Sequence, residues 1–112
     1  MKIYVTGKID RDGMEETGRK FSEALEKLSA EGNLVFLPTM LPEYEEIPQR
    51  DYMRIHCAII DVCDAVYALK DWQKDPMARE ELQYAADWRK EILYENPETK
   101  ENNFPIDRWR NI

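Results

Sequence analysis

Four short apolar segments alternate along this chain with three stretches of helical period, and that alternation leaves few folds open. Lys2 to Thr6 carries Ile3, Tyr4 and Val5 in succession before Gly7 breaks the run. Leu34 to Leu37 is apolar throughout and stops at Pro38; Asp64 to Leu69 is a third run and Glu91 to Glu95 a fourth. Central runs that are apolar throughout, rather than alternating with polar residues, mark strands covered on both faces. Between them the period changes. Phe21, Leu25 and Leu28, with Ala24 beside them, share one face of a helix from Met14 to Ala30, which Gly32 ends. Tyr52, Ile55, Ile59 and Val62 do the same from Arg50 to Cys63, and a third helix runs from Met77 to Lys90. The order β-α-β-α-β-α-β with short connections predicts an α/β fold. It is a three-layer α-β-α sandwich, flavodoxin- or Rossmann-like, with a four- or five-stranded parallel sheet. Right-handed crossovers with helices on both faces make the first and third strands neighbours, in an order such as 2-1-3-4.

The chain has 112 residues, and the domain is expected over 1–95. Residues 96–112, with two prolines and isolated Phe104, Ile106 and Trp109, are expected to be a tail packed on the domain or at an interface. Sixteen Lys and Arg against 23 Asp and Glu give a net charge of −7. That balance disfavours nucleic-acid polymers and acidic membrane surfaces, which need clustered cations. No apolar run approaches the roughly 20 residues of a membrane span, and the amino terminus enters a strand pattern without a basic leader. A cytoplasmic protein is expected. Cys57 and Cys63, six apart on a helix, point about 120° from one another and read as unbridged, buried thiols. One histidine and no Cys-x-x-Cys pair leave a structural zinc site without ligands; magnesium held by carboxylates alone stays open but nothing in the sequence motivates it, and no metal or cofactor is expected.

In an open parallel sheet, ligands bind at the carboxyl ends of the strands. The segments placed there are Gly7 to Gly13, Pro38 to Gln49, the start of the second helix, and Lys70 to Glu81; Asp64, opening a strand, belongs at the opposite end. On a helical wheel of the third helix, Glu81 falls at about 40°, inside the apolar arc, whereas Glu80 lies near 300°, outside it. A carboxylate on a buried face needs a partner, so Glu81 is either tied to an arginine or backbone amide or held there for chemistry. His56 falls at the edge of the core stripe near the top of the sheet, as a core histidine with one hydrogen bond or as a catalytic group. Tyr4 sits at mid-strand, where packing alone accounts for a tyrosine. Asp75 precedes the third helix and suits a cap. Gly7 and Lys8 open a loop whose amides suit a phosphate, though it has no G-x-G-x-x-G and no G-K-[ST]. Trp72, in a loop at the same end, offers a stacking surface.

These residues together resemble the nucleoside 2-deoxyribosyltransferase superfamily, and within it a short DUF branch of bacterial and phage proteins. Lys2-Ile3-Tyr4-Val5-Thr6-Gly7 is similar to the opening strand and glycine turn, and Tyr52-Met53-Arg54 through Cys63-Asp64-Ala65-Val66-Tyr67 to the middle helix-to-strand block. Asp75-Pro76-Met77-Ala78-Arg79-Glu80-Glu81, continuing to Ala85, resembles the segment D-x-G-x-x-x-E-x-x-x-A. The resemblance covers residues 2 to about 95. It implies that Glu81 is the nucleophile that attacks the anomeric carbon of a 2-deoxyribonucleoside, that Tyr4 orients it, and that Asp75 helps to bind substrate. His56 stands where the family carries an aspartate, and Met77 where it carries the glycine. Catalysis is therefore expected from Glu81 and Tyr4, and substrate contacts from Gly7, Lys8, His56, Trp72, Asp75 and Met77. The carboxylate of Asp75 disfavours a 5′-phosphate, so a nucleoside is preferred to a nucleotide as the small-molecule partner. The alternative function is a nucleoside- or nucleotide-binding module without turnover. Homo-oligomers, at least dimers, are expected, because so small a domain has a limited core and relatives complete their sites with a neighbouring subunit.

Overall fold

A computed structural model describes residues 1–100. Four strands, β1 (Lys2–Thr6), β2 (Leu34–Phe36), β3 (Ala65–Ala68) and β4 (Glu91–Tyr94), form one sheet in the order β2-β1-β3-β4. All its pairings are parallel, with Ile3 opposite Val35, Tyr4 opposite Val66 and Val66 opposite Ile92. The three helices are α1 (Met14–Ala30), α2 (Gln49–Val62) and α3 (Pro76–Asp87). This is the predicted sandwich, with four strands among the described residues. Of the expected tail, Pro97–Thr99 makes a short 3-10 turn; Phe104, Ile106 and Trp109 lie outside the described residues.

Because side chains alternate along a strand, β1 feeds two cores. Ile3 and Val5 meet Phe21, Ala24 and Leu28 of α1 on one face. Tyr4 meets Ile60 of α2 and Ala78, Leu82 and Ala85 of α3 on the other. β3 is buried along its whole length, as a central parallel strand must be. Each large side chain in these cores contributes on the order of 2 kcal/mol by leaving water.

The helix ends are set by local chemistry. After α1, Gly32 takes φ 90, and Asn33 and Gly32 return amide bonds to Leu28 and Ser29. α3 stops before the expected Lys90 because Arg89 adopts φ 59 and the Lys90 amide turns back to Ala85. That is the same left-handed stop, made without glycine. At the opposite end of the sheet, Asp64 accepts the Lys2 amide at 2.8 Å and donates its own to Lys2 O, joining the starts of β1 and β3. Cys63 is buried, but Cys57 is only half-buried on the side of α2 that faces α3 and solvent; both are free thiols. No helix among the described residues is long and apolar enough to cross a membrane.

Gly7 leaves β1 directly against Leu69. A Cβ there would lie 2.6 Å from Leu69 Cδ1 and 2.8 Å from its Cβ, too close for the side-chain tip alone to relieve. Gly7→Ala is expected to destabilise the fold by about 1–3 kcal/mol. The urea midpoint should fall with an unchanged slope, and an unaltered midpoint would mean that Leu69 yields freely.

Candidate active site

Glu81 lies in the second turn of α3, facing the sheet, and is 3% exposed. Three donors surround its carboxylate. Thr6 Oγ1 donates to Oε1 at 2.8 Å, Tyr4 OH donates to Oε2 at 3.0 Å, and His56 Nδ1 lies 2.7 Å from the same Oε2. An ionised carboxylate only accepts, so His56 Nδ1 carries the proton of that bond. Tyr4 and Thr6 reach the same anion because they are two apart on β1 and share one face. Burial first, then the neighbouring Glu81 charge, holds the Tyr4 phenol well above the ordinary range, so it remains a donor.

Thr6 was not singled out by the sequence. It stands at the end of an apolar strand, where a threonine reads as ordinary β-branched filling. The available signal was the spacing of two hydroxyl side chains on one strand face beside a buried carboxylate.

A cavity of about 230 Å³ opens onto this cluster at the carboxyl end of the sheet. Gly7, Ile9 and Arg11 line it from the β1–α1 loop, Pro38, Leu41 and Glu43 from the loop after β2. Gln49, Tyr52 and His56 descend one face of α2, and Asp75, Pro76, Met77, Ala78 and Glu81 complete the wall from α3. Arg11 and Glu43 form a two-pronged ion pair across the mouth, at 2.7 and 3.2 Å. Tyr52 OH donates to Pro42 O and accepts the Tyr44 amide, fixing the loop above α2.

Asp75 caps α3, accepting the amides of Met77 and Ala78 at 2.8 and 3.2 Å on Oδ1. Its Oδ2 takes the Ile9 amide at 3.1 Å, so one carboxylate ties the β1–α1 loop to the helix that carries Glu81. Asp71 adds a second tie, accepting the Lys8 amide and pairing with Lys20 of α1 at 2.5 Å.

The structure thus brings Gly7, His56, Asp75, Met77 and Glu81 to one cavity, with Tyr4 behind Glu81. Two expected contacts are elsewhere. Trp72 is no stacking surface: it is 1% exposed, packs near Tyr94 and donates its indole N–H to Thr99 Oγ1. Its loop folds back as a 3-10 turn, and so large an apolar ring is better placed in the core under β4. Lys8 is absent from the cavity lining; its segment is held through its backbone amide. Burial, with the Glu81 charge second, pushes the Cys57 thiol up to about 11, away from nucleophilic use. Among the described residues, no group of three or more His, Cys, Asp or Glu side chains is placed to hold a metal ion.

The architecture has counterparts among solved structures. A 2-deoxyribosyltransferase from Leishmania mexicana superposes with a TM-score of 0.62 at 20% identity, over 83% of this chain and 62% of that one. The 2-deoxyribosyltransferase from the psychrotolerant bacterium Bacillus psychrosaccharolyticus superposes with a TM-score of 0.65 at 19% identity, over 95% and 80%. The chain spans less than two thirds of the length of the Leishmania protein. Its fold is that of the nucleoside 2-deoxyribosyltransferase-like proteins. The sequence profile of DUF4406, a domain of unknown function, matches residues 1–94, and the chain belongs to that family. No curated protein matches its sequence.

The raised Tyr4 value has a sign for stability. The unfolded chain releases this proton near pH ~10 and the folded protein retains it, so the contribution is whole below that pH and lost as pH rises above it. Tyr4→Phe should therefore lose stability less steeply between pH ~9 and ~11, by up to about 1.4 kcal/mol per pH unit. Tyr84, also raised, by burial and by Asp61, retains its own share of the slope. Urea midpoints of both proteins across that range test it, and equal slopes would count against it.

Proposed function

We propose that the chain breaks the N-glycosidic bond of a 2-deoxyribonucleoside, with Glu81 as nucleophile. The observation that carries this reading is a buried carboxylate held by three donors at the floor of a cavity. Glu81 attacks the anomeric carbon as the bond to the base breaks and its electron pair leaves with the base. Water or a second base then displaces the carboxylate from the glycosyl ester, giving hydrolysis or transfer. The transition state is oxocarbenium-like, and a fixed anion both stabilises and traps it. Oε2 already accepts two donors whereas Oε1 accepts one, so Oε1 retains the lone pair for attack.

Asp75 has one acceptor position left after its three amides, which suits a sugar hydroxyl. Glu43, Asp75 and Glu81 face the cavity with Arg11, itself paired to Glu43. That charge pattern favours a neutral nucleoside over a nucleotide.

Chromatographic release of base from deoxyadenosine or thymidine tests the reading. Glu81→Ala should lower release by more than about 10³-fold, because the variant lacks the nucleophile. Glu80, exposed on the outer side of α3, should be replaceable by alanine with little effect. Release that persists in Glu81→Ala removes the mechanism. Binding without release in the wild type would favour a nucleoside-binding module, in which Met77 on the cavity wall fills space a sugar would need.

We also propose that the protein is a homo-oligomer. On α2, Ile55 and Val62 are 41% and 56% exposed at a spacing of two helical turns, and Trp88 beyond α3 is 62% exposed. Sedimentation at roughly tens of micromolar should give at least a dimer, and a monomer there counts against it.

A further inference from the structure

The two oxygens of the Glu81 carboxylate are held differently. Oε2 accepts the Tyr4 phenol at 3.0 Å and His56 Nδ1 at 2.7 Å, whereas Oε1, among the described residues, accepts only Thr6 Oγ1, at 2.8 Å. Thr6 is fully buried and its backbone is fixed in the sheet: it stands opposite Ala68, and its carbonyl accepts the Leu69 amide at 2.9 Å. The hydroxyl therefore keeps its place while the bonding at Oε1 changes.

We infer that Thr6 is a catalytic residue that speeds release of the sugar from Glu81, because its hydroxyl stabilises Oε1 as a carboxylate oxygen and not as an ester oxygen. The inference rests on Glu81 as nucleophile, with Oε1 the attacking atom. In the first half, Oε1 bonds to the anomeric carbon, the bond from that carbon to the base nitrogen breaks, and its electrons leave with the base, which takes a proton from solvent. The negative charge is then gone from Glu81. Oε2 becomes the carbonyl oxygen of the ester and is still a good acceptor, so the Tyr4 and His56 bonds persist through the reaction. Oε1 becomes the bridging oxygen, whose lone pair is drawn into the carbonyl, and the Thr6 bond to it weakens. In the second half, water or an incoming base bonds to the anomeric carbon and gives its proton to solvent. The bond from Oε1 to that carbon breaks, and its electrons restore the carboxylate. As the charge reappears, the Thr6 bond regains the strength of a charge-assisted one. An interaction that differs between the two states moves the barriers between them, and one common to both does not. Thr6 thus opposes attack slightly and assists departure, which keeps the protein from being trapped as its own glycosyl ester.

Thr6→Val keeps the branched shape and removes the hydroxyl, whereas Thr6→Ser keeps the hydroxyl. The half-reactions are read separately with 2′-deoxy-2′-fluoroarabinosyl adenine at neutral pH. Loading is adenine released in the first turnover; unloading is loss of the sugar from the intact protein, by mass, after adenine is removed and hypoxanthine added. Thr6→Val should unload at least about tenfold more slowly than the wild type, the effect of one lost bond to a charged oxygen, and load no more than about threefold more slowly. Thr6→Ser should match the wild type within about threefold in both. Equal losses in loading and unloading would make Thr6 a structural support for Glu81 and overturn the inference, as would unloading that Thr6→Val leaves unchanged. In both cases a wild type that gains the sugar on Glu81 leaves the nucleophile reading intact. A wild type that gains no sugar removes the inference together with that reading. Should Thr6→Val not fold, Thr6→Cys, whose thiol is a weak donor, takes its place: unloading should slow at least about threefold more than loading, and equal slowing would overturn the inference.

Discussion

An anion sits inside the second core, and the arrangement around Glu81 acts as its solvation shell. A carboxylate removed from water costs several kcal/mol unless donors replace the water. Here the donors come from three elements: two hydroxyls on β1 and one imidazole on α2. Each depends on the sandwich. The hydroxyls share a face because Tyr4 and Thr6 are two apart on a strand, and the imidazole arrives because α2 and α3 pack on that same face. Loss of any one donor leaves the anion under-satisfied, so the polar cluster and the apolar packing stand or fall together.

A second set of carboxylates fixes where this anion lies. Asp75 links the cap of α3 to the Ile9 amide, and Asp71 links the Lys8 amide to Lys20 on α1. Both act on backbone amides, whose positions do not depend on side-chain rotamers. The β1–α1 loop is therefore held against α3 before any ligand arrives, a preorganisation that the proposed reaction at a sugar carbon would use. The exposed Arg11–Glu43 pair at the mouth contributes less, since water and salt screen it.

Much of this was legible in the sequence, and for identifiable reasons. Strands buried on both faces leave uninterrupted apolar runs, which is why β1 and β3 and the strand order could be read. Glu81 was legible because a charge inside a helical apolar arc violates the pattern around it. Trp72 was misplaced because its position after a strand says loop, whereas its burial depends on a 3-10 turn and on β4, which pack it from a distance in sequence. Thr6 escaped because a threonine at a strand end carries no anomaly of its own; its role exists only once Glu81, 75 residues away, is brought to 2.8 Å. Asp75 was legible as a cap, but its third amide, from Ile9, is a tertiary contact that no local rule foresees.

The claim on which the account turns is that the Glu81 carboxylate bonds to a sugar carbon. Incubation with 2′-deoxy-2′-fluoroarabinosyl adenine, followed by peptide mass analysis, tests it directly, because the fluorine slows loss of the glycosyl ester. The account predicts release of adenine together with a fluorosugar adduct on the peptide that contains Glu81. Adenine release that leaves every peptide unmodified, or an adduct on another residue, would contradict it.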